Sequence, residues 1–155
     1  MKQEHKLVSE VYRYLAPFIN TDHEIYISLD GQAAITGVGR GTFVDSVVPD
    51  LWFTLLTAAE PTLVEAKTID TNGRLLLMQS QLQAWRGVGG GAHKPAFWIA
   101  TNRAFDRFYF WSHGEFLPIL DKTKATANTV TLLPPKNRRE FRSVSALALH
   151  ILRET

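Results

Sequence analysis

Along this chain, stretches whose apolar residues recur every three or four positions alternate with shorter ones where they run together. Residues 4–16 are of the first kind: Leu7, Val11, Tyr14, Leu15 and Phe18 fall along one side, which predicts a helix, and Pro17 marks its end. Residues 24–29 are of the second kind and predict a strand, with a turn at Asp30-Gly31 and 33–38 continuing the hairpin. Gly37, Gly39 and Gly41 around Arg40 read as a connection. Two strands are expected near 43–53 and 62–69, with Glu60-Pro61 between them and the turn Asp70-Thr71-Asn72-Gly73 after them. Residues 74–86 predict a helix that ends in the glycine run at 87–91. Residues 95–101 predict a buried strand, and 107–112 with 116–120 a hairpin joined by Ser112-His113-Gly114. A strand at 128–133 is broken by Pro134-Pro135, and 143–153 predicts a closing helix. With no internal repeat and no linker, residues 1–155 read as one domain, and the order of elements suits an α/β sandwich with a central mixed sheet.

Charge interrupts this pattern most sharply at two of the strands. Val47-Val48-Pro49-Asp50-Leu51-Trp52-Phe53 is apolar apart from one carboxylate, and fourteen residues after Asp50 the run Thr62-Leu63-Val64 meets Glu65-Ala66-Lys67. Residues i and i+2 of a strand project to the same face, so Glu65 and Lys67 point one way and Ala66 the other. If the two strands are neighbours, Asp50 joins Glu65 and Lys67. Two carboxylates and an ammonium gathered on one face are costly to bury unless they bind something, and a divalent cation is the obvious candidate.

Pro49-Asp50 on one strand and Glu65-Ala66-Lys67 on the next, after a helix and before a helix and a strand, resemble the PD-(D/E)XK nuclease superfamily. The likeness covers roughly the first two thirds of the chain, by order of elements, and is greatest to virus-type replication-repair nucleases and Holliday-junction resolvases. It implies a restriction-endonuclease-like three-layer α/β sandwich. The implied activity is metal-dependent hydrolysis of phosphodiester bonds in DNA, as endonuclease or exonuclease, with Mg²⁺ or Mn²⁺ as cofactor. Carried over, the metal falls to Asp50, Glu65 and the backbone carbonyl of Ala66. Lys67 orients the attacking water or stabilises charge on the phosphorane, a task that suits an ammonium. Many members add a Glu from the first helix; here Glu10 is the best match, at the flank of the apolar stripe, with Glu4 as competitor. Some members place a Gln on the helix after Glu-x-Lys, which points to Gln81, one turn before Trp85, or to Gln79.

Composition adds bounds rather than an answer. An apolar content of 45%, with 4 Trp, 4 Tyr and 9 Phe, provides a real core. The absence of Cys excludes disulfides and Cys-based zinc sites and fits a cytoplasmic location. The first residues lack the apolar run of a signal peptide, and no stretch approaches the ~20 residues of a membrane span. Net charge is +2, with a pI of about 9.0. Arg40, Arg74, Arg86 and Lys94, with Arg138 and Arg139 after the double proline, are the candidate phosphate contacts, residues that set affinity without reading sequence. Trp52, Trp98 and Trp111 lie on apolar strands and read as core. The five histidines have no metal-ligand spacing. The glycines at 87–91 follow a helix rather than precede one, unlike a phosphate loop. So small a domain has little room for a separate recognition module, which points to structure-specific action on junctions, flaps or ends, or to a homodimer by analogy with resolvases of similar size. The alternative from a different class is a nucleic-acid-binding or assembly module that keeps the fold without catalysis.

Overall fold

The computed structural model describes residues 3–29, 32–36, 49–87, 95–124, 126–136 and 139–155. Helix α1 spans Gln3–Leu15 and closes in a 3-10 turn at Ala16–Phe18, with Pro17 in its first positions. Strands β1 (Ile25–Leu29) and β2 (Gln32–Thr36) form an antiparallel hairpin. β3 (Leu51–Phe53) and β4 (Thr62–Ile69) follow, then β5 (Leu75–Met78), α2 (Gln79–Gly87), β6 (Ala96–Asn102) and β7 (Phe108–Ser112). The chain ends in α3 (His113–Lys122), β8 (Thr129–Leu132), β9 (Arg139–Phe141) and α4 (Val144–Glu154). Seven strands make one sheet in the order β2-β1-β3-β4-β6-β7-β9; β5 and β8 make a separate ribbon. β4 and β6 are parallel and every other neighbouring pair is antiparallel, so the sheet is mixed and the class is α/β. Among the described residues no helix is long and apolar enough to cross a membrane.

The two faces of the sheet bury different material. Ile25, Ile27, Leu51, Phe53, Val64, Ala66 and Ile99 meet Leu7, Val8, Val11 and Leu15 of α1 and Leu147, Ala148 and Ile151 of α4. Leu63, Ile69, Trp98, Ala100 and Trp111, one position out of phase, meet Leu75 and Leu77 of β5, Leu82 and Trp85 of α2 and Phe116 and Leu120 of α3. Alternation with period two therefore feeds two cores, and β4, covered on both sides, is buried at seven of its eight positions. Trp52, Trp98 and Trp111 are core, as their apolar strands imply. On α1 the buried stripe takes in Val8 and leaves Tyr14 and Phe18 half exposed, which narrows the expected face.

Three elements differ from the sequence reading. The helix expected over 74–86 is a strand followed by a helix. Leu75 and Leu77 face the core and Leu76 and Met78 face solvent, an alternation made possible because β8 pairs with them, so tertiary pairing overrides the helical propensity of leucine. The hairpin strand expected at 116–120 is α3. Ser112 caps it, accepting from the Glu115 N–H at 3.3 Å while the Glu115 side chain accepts from the Ser112 N–H at 2.9 Å; this capping box starts a helix where Ser112-His113-Gly114 had suggested a turn. β9, in the polar run after the double proline, was not expected at all. Of the strand expected over 43–53, the described residues are strand at 51–53, and its part up to 48 lies outside the described residues.

Two of the basic residues expected to contact nucleic acid also make bonds within the fold. Arg86 donates from Nε to the Leu120 carbonyl at 2.6 Å, which also accepts the Thr123 N–H, and from Nη2 to the Thr123 carbonyl, so it ties α2 to the C-terminus of α3. Arg139 donates to Glu115 Oε1 at 2.8 Å and lies 5.0 Å over the Phe110 ring. Replacing Arg86 with Ala is expected to cost about 1.5–3 kcal/mol, the range for hydrogen bonds from a charged donor. Arg74, exposed in the 70–74 turn, is expected to cost under about 0.5 kcal/mol when replaced by Ala. Urea unfolding of the two variants measures both, and equal losses would refute the α2–α3 tie.

Candidate functional site

Strand lengths create the site. β3 is three residues long, and its register sets Leu51 opposite Val64 and Phe53 opposite Thr62. One residue further along, Asp50 stands opposite Glu65, where β3 has ended but β4 continues. The ladder position left open there is filled by a side chain: the Ala66 N–H donates to Asp50 Oδ2 at 2.8 Å. On the other side the Ser28 N–H donates to the Asp50 carbonyl at 2.9 Å, so β1 fixes the backbone that carries the carboxylate. In an extended strand the N–H and C=O of one residue leave by the same edge, so the Ala66 carbonyl is turned to the edge that Asp50 occupies.

Glu65 and Lys67 lie on the face covered by α2 and are 2% and 5% exposed, a burial that only pairing makes tolerable. Lys67 Nζ lies 3.6 Å from Glu65 Oε1 and donates to Gln81 Oε1 at 3.1 Å. Trp85 Nε1 donates to Glu65 Oε2 at 3.1 Å. The geometry rests on matching periods. Gln81 and Trp85 are four apart on α2, a rise of about 6 Å, and Lys67 and Glu65 are two apart on β4, a rise of about 6.6 Å, so two helix residues meet two strand residues in step. The same Gln81 oxygen takes a second donor. Gln81 is the third residue of α2, and its Oε1 accepts the N–H of Met78, the residue before the helix, at 3.1 Å. The start of α2 at Gln79 thus fixes Gln81 as the residue on Lys67. The N–H of Gln79 donates to the Asn128 carbonyl at 2.8 Å and ties the helix start to the β8 side.

Burial pushes the Glu65 carboxyl well above the ordinary carboxylate range; the Asp50 charge and a hydrogen bond shared with Asp50 push the same way, and the Lys67 ammonium opposes them. The Tyr26 phenol is also raised, by burial first and then by the charges of Asp50 and Glu65. Nothing in the residue pattern of the first hairpin singled Tyr26 out, although it shares a sheet face with Glu65 through the register of Tyr26 on Trp52 and Trp52 on Leu63. Of the two acidic residues weighed on α1, the one whose charge Glu65 feels is Glu4. Glu10 is drawn off to Arg13 at 2.8 Å, one turn along the helix surface.

Two carboxylates and a carbonyl around one edge are an all-oxygen donor set, which suits a hard divalent cation that keeps several waters. Among the described residues no three His, Asp or Glu side chains gather into a fuller metal cluster. Such a cation would also answer the repulsion that raises Glu65. Asp50, Glu65, Ala66, Lys67 and Gln81 are brought together, and Glu10 is not. Of the basic candidates, Arg74 is exposed, Arg86 and Arg139 are engaged in the fold, and Arg40, Lys94 and Arg138 lie outside the described residues.

Two expectations follow. A carboxyl whose folded pKa is raised contributes stability that is fully present below its unfolded value of about 4.3 and lost as pH rises through the folded value. Glu65→Gln keeps the shape and stays neutral. In the absence of divalent metal it should gain on the wild type with rising pH, by up to about 1.4 kcal/mol per unit until Glu65 ionises. Urea unfolding in EDTA from pH 4 to 8 reads this, and a pH-independent difference would refute the shift. On α1, Glu4→Gln should change the pH at which that gain levels off, whereas Glu10→Gln should leave it in place.

No family model, curated protein or solved structure matches this chain, so its chemistry is read from the site itself.

Proposed function

We propose that the chain is a metal-dependent nuclease of restriction-endonuclease-like fold, a member of the PD-(D/E)XK superfamily that hydrolyses phosphodiester bonds, with DNA as the expected substrate. The observation that carries this reading is the convergence of Asp50, Glu65 and Lys67 at the open edge of β4, with Lys67 held by Gln81. A helix, a hairpin, two antiparallel strands bearing the acidic motif, and a parallel strand reached through a helix agree with that fold.

Asp50, Glu65 and the Ala66 carbonyl would hold Mg²⁺ or Mn²⁺, which when bound neutralises phosphate charge and makes water a better nucleophile. The remaining work belongs to the chain. The Ala66 N–H fixes one oxygen of Asp50, and Trp85 fixes one oxygen of Glu65, so both carboxylates are oriented before any ligand arrives. Lys67 has three N–H donors, of which one goes to Gln81 and one faces Glu65, leaving one to orient the attacking water or to meet the non-bridging oxygen on which charge develops. Gln81 keeps that ammonium from folding wholly onto Glu65. The exposed Arg74 offers a phosphate contact of the non-specific kind.

The near-complete enclosure of Glu65 and Lys67 favours one second reading, a nucleic-acid-binding or assembly module that has kept the fold without turnover. Cleavage of linear duplex, single strand, flap, four-way junction and RNA in Mg²⁺, Mn²⁺ or EDTA separates the two. Asp50→Asn still accepts from Ala66, so it should fold normally and lose cleavage by at least ~100-fold, as should Lys67→Ala. A Lys67→Ala protein that still cuts removes Lys67 from the chemistry. Metal binding with no cutting of any substrate favours the second reading.

A further inference from the structure

Behind the site lies a buried histidine that the proposed chemistry does not use. His113 is the first residue of α3, held in place by the capping box around Ser112, and is 5% exposed. Its ring lies nearly parallel to the plane of the Trp98 indole, with centroids 6.4 Å apart and planes at 10°, and tilts against Trp85 at 5.4 Å. Trp98 Nε1 donates to His113 Nδ1 at 3.0 Å. Nδ1 is therefore an acceptor, and the neutral ring carries its proton on Nε2. Nε2 is buried and closes no hydrogen bond of normal geometry, although the backbone of Trp85 lies close enough to favour a proton there. Burial is the larger influence and holds the ring below its usual pKa.

What this arrangement does for Glu65 follows from the register. Trp98 stands directly across from Glu65 on the neighbouring strand, and Trp85 packs on Trp98 at 5.2 Å. Two buried indoles therefore neighbour one carboxylate, and the N–H of each needs an acceptor. Trp85 takes Glu65 Oε2; Trp98 turns away to His113. Without an acceptor at position 113, the Trp98 N–H would be left unpaired beside the carboxylate and would compete for it. Oε1, the oxygen that faces Lys67, would then lose its orientation.

We propose that His113 is a positioning residue for Glu65: by accepting the Trp98 N–H and packing on Trp85, it keeps one indole on Oε2 and reserves Oε1 for Lys67 and a cation. The cation clause rests on the nuclease reading; the indole arrangement does not.

Three variants test it. Phe at 113 fills the ring volume without an acceptor. Asn presents its amide near the position of Nδ1, and Gln near that of Nε2. The readouts are the indole N–H resonances of the 4 Trp residues with their exchange rates, and Mn²⁺ affinity by calorimetry. His113→Phe should shift the Trp85 signal as well as that of Trp98, speed Trp85 N–H exchange by about tenfold, and weaken Mn²⁺ binding by about tenfold, the lower end for loss of an outer-shell partner. His113→Asn should restore both quantities to near wild type, and His113→Gln should not. If His113→Phe fails to fold, the contrast between Asn and Gln decides. Asn and Gln behaving alike, Trp85 unchanged in His113→Phe, or all three variants failing to fold would each overturn the proposal. Wild-type protein that binds no Mn²⁺ would overturn the nuclease reading, while the Trp85 signal would still judge His113.

Discussion

The burial of Glu65 and Lys67 in the middle of β4 is the constraint around which one half of the molecule is arranged. An ion pair taken out of water loses several kcal/mol of solvation per ion, and at 3.6 Å the two groups do not repay this by themselves. Further polar groups are needed, and the fold supplies them from α2: Gln81 for the ammonium and Trp85 for the carboxylate. That requirement fixes where α2 begins, because Gln81 must be both its third residue and the partner of Lys67. It also fixes how α2 is held, with Arg86 on the end of α3 and the Gln79 N–H on Asn128.

The two faces of the sheet divide the labour accordingly. The α1–α4 face is aliphatic and phenyl, without a tryptophan in its core. The opposite face gathers Trp52, Trp85, Trp98 and Trp111. Tryptophan suits a core that must be large and dry yet hand out single hydrogen-bond donors. Trp85, Trp98 and Trp111 do so here, to Glu65, His113 and the Pro135 carbonyl. A leucine core of equal volume would leave Glu65 desolvated with one partner fewer.

Much of this was legible in the chain, because strand alternation and the break of an apolar run by charge are local signals. Glu65 and Lys67 were expected on one face with Ala66 on the other, and the α/β class with a mixed sheet was expected from element order. What escaped depended partly on partners distant in sequence and partly on pairs three residues apart. Leu75–Met78 looks helical until β8 is beside it. The capping box of α3 was read as a turn because His113-Gly114 follows the serine. Glu10 was preferred to Glu4 from its place on the stripe, but the carboxylate of Glu10 is claimed by Arg13 three residues on. For Arg86 and Arg139 a sequence does not reveal the carbonyls and the carboxylate that engage them.

On the proposed function, these same features couple stability to ligand. In the metal-free protein, burial and the neighbouring Asp50 favour a proton on Glu65, and the hydrogen bond between the two acids depends on it. A cation bound there would need the Glu65 carboxyl unprotonated, so its binding would release a proton and strengthen as pH rises. The free energy that the folded chain loses when Glu65 ionises without a cation is then recovered by the cation, since it binds the folded state alone. A site built this way is weak at low pH and restoring at high pH. Neither property needs a moving part, because the opposition between Asp50 and Glu65 is fixed by the register of β3 on β4.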